Sequence, residues 1–356
     1  MASTTSFQKK GGSKFPTIPG TRPSSYNLQL LTSSGIPSLD ALFEGGWPLG
    51  SVILIQNDPD SGANLTNYTR LLLKYFLAEG VVQRHALFYG GSEGPGPSHP
   101  FSLLPQKVNA NPPKSAQGQN SADDQLQIAW RYQNQGPKSS QIEPVEVKHH
   151  FNLNKLMDPT DLEQVPRHSW DGDYMNIGDN YFHNLLDQIR TILQTETFST
   201  HPSSHPKNLL RIGISDLDSP WWASDDEDRS GLTAFLMALR SLMRQYLGVC
   251  VLTAQINLDM DDRAWQNVYE CVDGVIKLSP FSEVTRQDPM FKDHHGFLEI
   301  LKIPGFNVLR PSQANLGKFL FRSQRTRFNV DRIHLPPALD QDPPKPKPLG
   351  HGDIDF

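Results

Sequence analysis

The run Ser51-Val52-Ile53-Leu54-Ile55-Gln56, followed by Asn57-Asp58-Pro59-Asp60-Ser61-Gly62-Ala63-Asn64, decides the fold of this chain. Six residues without a charge, bounded by Gly50 and by Asp58-Pro59, read as a strand covered on both faces. Beyond the loop, Leu65, Tyr68, Leu71, Leu72, Tyr75 and Phe76 recur at three- and four-residue spacing. That spacing predicts a helix over 65–79, with Gly80 as its stop. Strand, loop and helix in immediate succession point to an α/β core.

The slot between that strand and that helix is where a P-loop, Gly-x-x-x-x-Gly-Lys-[Ser/Thr], would cradle phosphates with its backbone amides. Here Asn57 stands at the first glycine, Gly62 at the second, Ala63 at the lysine and Asn64 at the hydroxyl residue. The lysine normally neutralises charge on the phosphoryl group being transferred, and that transfer depends on such electrostatic help. Asp58 and Asp60 add repulsion toward a triphosphate. The segment keeps the frame of a phosphate-binding loop without its chemistry.

The approach to the strand carries a resemblance. Ser34-Gly35-Ile36-Pro37-Ser38-Leu39-Asp40 and then Gly45-Gly46-Trp47-Pro48-Leu49-Gly50 are similar to the entry of the RecA/KaiC/RadA ATPase core. Further words narrow it: Gly20-Thr21-Arg22-Pro23, Lys74-Tyr75-Phe76-Leu77-Ala78-Glu79-Gly80, Ile128-Ala129-Trp130-Arg131-Tyr132-Gln133 and Leu210-Arg211-Ile212-Gly213-Ile214. With Asp293-His294-His295-Gly296, Arg332-Ile333-His334-Leu335-Pro336-Pro337 and the terminal Asp355-Phe356, their order resembles the Elongator subunit 4 family.

That resemblance implies a RecA-like α/β fold, with a mostly parallel central sheet flanked by helices and antiparallel edge strands near the C-terminus. It implies a non-catalytic subunit that forms a hetero-hexameric ring with two paralogues, Elongator subunits 5 and 6. The ring would join the catalytic subcomplex, contact tRNA and support wobble-uridine modification in cytoplasm and nucleus. No cofactor is implied beyond weak nucleotide binding at ring interfaces. The competing reading, an active KaiC/RadA-type ATPase of DNA repair or signalling, is opposed by Asn57, Ala63 and Asn64. A third is an interaction module with no RNA role.

Composition sets outer bounds. The chain has 356 residues, 37% of them hydrophobic, which suffices for a core. A mean hydropathy of -0.48 with 29 prolines predicts long polar insertions. The net charge of -5 makes no global case for nucleic-acid binding, so any RNA contact must come from local basic patches. Cys250 and Cys271 lie in apolar runs without metal spacing and read as buried thiols. No apolar run reaches membrane-spanning length, so no membrane partner is expected.

Along the chain, residues 1–22 read as a disordered basic arm, 23–335 as a single RecA-like domain and 336–356 as an extended proline-rich tail. A polar insertion, mostly loop, is expected at about 92–179. Further strands are expected at Ala86 to Tyr89, Leu209 to Ile214, Val249 to Thr253 and Gly274 to Leu278, with helices over 181–194 and 231–247. Gly296 to Ile303 should open a set of strands joined by turns.

Candidate functional residues follow from those placements. Asp216 and Asp218, just past an apolar strand, occupy the Walker B position, where an aspartate serves the magnesium shell; strand-to-loop capping would put an aspartate there equally well. Glu93 falls where RecA-like ATPases orient the attacking water, or is a plain loop carboxylate. Trp47 reads either as an interface anchor or as an inward core tryptophan. Arg131 between aromatics, and Arg322, Arg325 and Arg327 in Lys318-Phe319-Leu320-Phe321-Arg322 and Arg325-Thr326-Arg327-Phe328, have the composition of an RNA-contacting surface. A half-buried strand yields the same alternation. The scattered histidines lack the spacing of a metal site, and none is assigned.

Overall fold

The computed structural model describes residues 18–24, 27–58, 62–91, 99–108, 149–171, 181–201, 205–219, 222, 230–255, 262–306, 308 and 316–333. In chain order the elements are β1 (Thr21–Pro23), β2 (Leu30–Thr32), α1 (Pro37–Leu42), β3 (Trp47–Pro48), β4 (Val52–Asn57), α2 (Gly62–Val82) and β5 (Ala86–Gly91). Then come β6 (Pro105–Lys107), β7 (Phe151–Leu156), α3 (Pro159–Glu163), β8 (Arg167–Asp171), α4 (Tyr181–Leu193), β9 (Leu210–Ile214), α5 (Ser230–Gln245) and β10 (Gly248–Gln255). The chain continues through α6 (Asp262–Cys271), β11 (Gly274–Ser279), α7 (Glu283–Gln287), β12 (Gly296–Lys302), β13 (Gly317–Ser323) and β14 (Phe328–Arg332).

Nine strands form the main sheet, in the order β14-β13-β12-β11-β4-β10-β9-β5-β8. From β11 to β8 every neighbouring pair is parallel, and β12, β13 and β14 extend the sheet antiparallel. The expected RecA-like plan is therefore present, with β4 inside a parallel block. Its six residues are all buried because both faces are covered. Alternation sorts the strand: Ile53 and Ile55 pack into the layer of α2, while Val52 and Leu54 pack toward α4, α5 and α6. Buried α2 residues such as Leu72, Leu73, Phe76 and Leu77 each contribute about 1.5–3 kcal/mol of apolar burial.

The structure adds detail to three sequence expectations. Gly80 does not stop α2, which runs on to Val82. A Cβ there would sit 2.5 Å from Leu87 Cδ2 and 2.7 Å from Arg211 Cδ, so the glycine allows the helix to lie close on β5 and β9. Inside the insertion, expected to be mostly loop, β8 pairs with β5 as an edge strand of the main sheet. Strands β6 and β7 pair antiparallel, and Val108 donates its N–H to the His150 carbonyl at 2.7 Å, so the chain closes on itself around residues 109–148. Residues 18–22, expected within the basic arm, belong to the fold: Ile18 is buried and β1 pairs with β2.

Candidate functional site

The carboxyl ends of the parallel strands gather the residues singled out from the P-loop-like segment. β4 ends at Asn57, buried and in register with Gln255 of β10, and α2 begins at Gly62. Gly62, Ala63 and Asn64 thus form the first turn of that helix. Asp58 donates its N–H to the Leu278 carbonyl at 3.0 Å, and its carboxylate lies 3.2 Å from Lys277 Nζ on β11.

The Walker-B-like turn lies two strands away. Ser215, directly after β9, is buried with its hydroxyl 2.7 Å from the Tyr89 hydroxyl. Asp216 follows in the left-handed region, φ 52°, where aspartate is one of the better-tolerated side chains. Its N–H donates to Thr253 Oγ1 at 2.9 Å, and its carboxylate accepts from Arg70 Nη2 at 2.7 Å and Nε at 3.2 Å. Asp218 accepts the Gln255 N–H at 2.7 Å, capping the end of β10. All three acids are therefore engaged within the chain. A magnesium-bound triphosphate does not fit this residue set: alanine stands at the lysine slot and a guanidinium already lies on Asp216.

Trp47 lies inside the core of this chain. It is 1% exposed, with its ring 5.4 Å from Phe76 and edge-on to Phe43 at 6.4 Å. The glycine-rich approach has its own reason to exist inside the chain. Gly35 turns at φ 87° against α2, where a Cβ would lie 2.5 Å from the Tyr75 carbonyl oxygen. Gly46, at φ 133°, would drive a Cβ into the Thr32 carbonyl. Packing within the chain accounts for these glycines and for Trp47.

Beneath the sheet lies a charged cluster that the sequence did not reveal. Arg211 is fully buried on β9 and donates to His85 Nδ1 at 3.0 Å, to the Ser33 and Phe76 carbonyls at 2.9 Å and to Thr32 Oγ1 at 2.7 Å. Burial lowers its pKa to about 10, opposed by the charges of Glu79 and Asp40. His85 donates from Nε2 to the Pro19 carbonyl, and burial beside the guanidinium lowers its pKa to about 3. Asp40 accepts from Ser33 and Ser34, yet burial raises its carboxyl to about 6. Glu79, 0% exposed, receives His149 Nδ1 at 2.9 Å and Gln83 Nε2 at 2.8 Å. Each polar group meets a partner, which is the condition for tolerating charge at such depth.

On the antiparallel extension the basic-aromatic alternation resolves by side. Phe319 and Phe321 are buried in the core, so those aromatics offer no stacking platform to a base. Arg325 and Arg327 are exposed in the β13–β14 turn. Arg322 is half-buried, with Nη2 3.9 Å from Asp331. His150 is held below its ordinary pKa by burial and by Arg327, and His295 by burial, His294 and Arg322. This end of β13 is thus a cationic rim. Because Ser279 of β11 pairs with Phe297 beside the start of β12, the rim shares the sheet end that carries Asp58 and Asp216. Glu93 and Arg131 lie outside the described residues.

Taken together, strand order, the parallel block with its antiparallel extension, and a loop-helix junction at the strand ends define a protein of the RecA-like α/β class. Residues 14–352 match the PAXNEB protein family, and the chain belongs to it, the family of Elongator complex protein 4. Elongator complex protein 4 of Xenopus laevis is 35% identical over 94% of this chain and 87% of the relative. That of Danio rerio is 34% identical over 96% and 90%, and that of Homo sapiens 32% over 94% and 86%. Among solved structures, a KaiC-like protein from Pyrococcus horikoshii OT3 aligns with a TM-score of 0.47 at 14% identity, covering 84% of this chain and 98% of that one. Among the described residues no helix is long and apolar enough to cross a membrane.

Proposed function

We propose that this chain is a non-catalytic subunit of Elongator, acting in cytoplasm and nucleus. It assembles with two paralogous RecA-like subunits, 5 and 6, into a hetero-hexameric ring that serves the catalytic subcomplex by holding tRNA during wobble-uridine modification. The observation that carries the non-catalytic part is the pairing of the strand-end acids within the chain. Lys277 lies on Asp58 and Arg70 on Asp216, while Ala63 stands where a lysine would hold phosphate. Phosphoryl transfer needs cations aimed at the reacting oxygens, and here Lys277 and Arg70 are committed to carboxylates. Affinity for tRNA is supplied by charge: Arg322, Arg325 and Arg327 form a rim that can meet phosphates without reading bases.

Native mass spectrometry of the chain mixed with the two paralogues tests the assembly. The expected result is a hexamer containing each subunit twice. A monomer in the presence of both partners would sink the ring. The isolated chain is expected to hydrolyse ATP no faster than buffer in magnesium, and turnover abolished by Asp216→Ala would reverse the non-catalytic reading.

A further inference from the structure

Asp216 carries more structural constraint than a surface turn needs. Its backbone is left-handed, its N–H is held by Thr253 Oγ1, and the next residue, Leu217, donates to the Thr253 carbonyl at 2.9 Å. Ser219 returns to the Asp216 carbonyl at 2.8 Å, and Trp222 Nε1 to the Ser215 carbonyl at 3.2 Å. The carboxylate so fixed is 17% exposed and meets Arg70, which reaches it from the third turn of α2, 146 residues away in sequence. Both Nε and Nη2 converge on one oxygen, Oδ2. A carboxylate at this strand end serves a magnesium shell in an active P-loop protein.

We propose that Arg70 is the built-in counter-ion of the Asp216 turn, taking the role of a divalent cation so that the strand-end face keeps its shape without magnesium. A charge supplied by the chain needs no ion from solution and cannot be removed by a chelator. The arginine fork also fixes direction, which a hydrated ion would not. Arg70 is a positioning residue here: it acts through Asp216 on the turn that closes the β9 and β10 ends. The pair acts within the isolated chain, so its failure is separate from failure of the ring.

Thermal unfolding of the full chain in EDTA and in millimolar manganese tests it, with the electron paramagnetic resonance signal of free manganese as a binding readout. The wild-type chain is expected to melt at the same temperature in both and to leave the free-manganese signal intact. R70A should melt lower in EDTA, regain part of the loss in manganese and deplete the free signal. The double variant R70A/D216N should lose that recovery, and R70K, which keeps the charge, should remain indifferent to the metal. If R70A does not fold, R70Q, which keeps most of the stem, takes its place in the same comparison. A wild-type manganese response that disappears in D216N would overturn the proposal. So would R70A, or R70Q in its place, melting like wild type or gaining nothing from the metal.

Discussion

The two halves of the sheet end differently at the same edge. In the parallel half, Asp58, Asp216 and Asp218 are each tied down by Lys277, Arg70 or the Gln255 amide. In the antiparallel half, Arg325 and Arg327 stand exposed on a turn, and Arg322 has one distant carboxylate at 3.9 Å. The parallel half commits its charge to the fold, whereas the antiparallel half leaves arginines facing solvent. The edge where a P-loop protein would bind triphosphate is neutralised from within. The edge added by β12, β13 and β14 keeps its positive charge facing solvent.

The largest expected effect lies in the buried cluster around Arg211, under the β9 and β5 strands of the parallel half. Arg211→Met removes one partner from Glu79, Asp40 and His85 and should cost about 3–5 kcal/mol in urea unfolding, because charges are left buried without compensation. A loss under about 1 kcal/mol would mean that the fold does not rest on this cluster. Next comes Trp47. Truncation to alanine should cost about 3–5 kcal/mol through reduced burial and a cavity. Trp47→Phe should cost much less, since the indole N–H has no hydrogen-bond partner among the described residues. If W47A instead folds normally and fails only in assembly, the tryptophan is an interface residue after all.

A smaller effect is one of slope. His85 favours the fold above pH 6.5, and this contribution is lost as pH falls toward about 3, because the unfolded chain takes up the proton first. Asp40 works the other way: its raised pKa favours the fold at low pH, and that contribution is lost as pH rises through about 6. Between about pH 6 and 4 the two offset each other. Asp40→Asn removes the second, so stability of that variant should decline more steeply than wild type below about pH 6, by roughly 1.4 kcal/mol per pH unit. Parallel slopes in urea titrations would show that Asp40 does not titrate there.

The smallest effect belongs to residues 109–121, rich in Asn, Gln, Ser and Pro. Their deletion should leave the melting temperature nearly unchanged, because the Val108–His150 hydrogen bond and the β6–β7 pair close the chain outside them. A drop of several degrees would show that the segment packs.

What the sequence showed and hid follows from how local each signal is. β4 and α2 were legible because an apolar run and a helical stripe are written in consecutive residues. β8 was not: Arg167-His168-Ser169-Trp170-Asp171 has no apolar run, and only pairing with β5 makes it a strand. Gly80 has the look of a helix stop in the sequence because its purpose, close approach to Leu87 and Arg211, is tertiary. Arg211 sat in plain view within Leu210-Arg211-Ile212-Gly213, and an arginine inside an otherwise uncharged strand was the available signal for a buried cation. The strand-end acids were found by position, but their partners Arg70 and Lys277 lie 146 and 219 residues away, and no spacing rule joins them.

The contrast between the two edges is tested most directly by tRNA binding to the assembled ring across a salt series. The comparison is between wild type and the triple variant R322A/R325A/R327A. If the antiparallel edge carries the ligand, the variant ring should assemble normally and bind more weakly. Its salt dependence should also be shallower, by roughly 0.7–0.9 in log-log slope for each phosphate no longer neutralised. An intact ring that binds tRNA with unchanged affinity and slope would contradict the account.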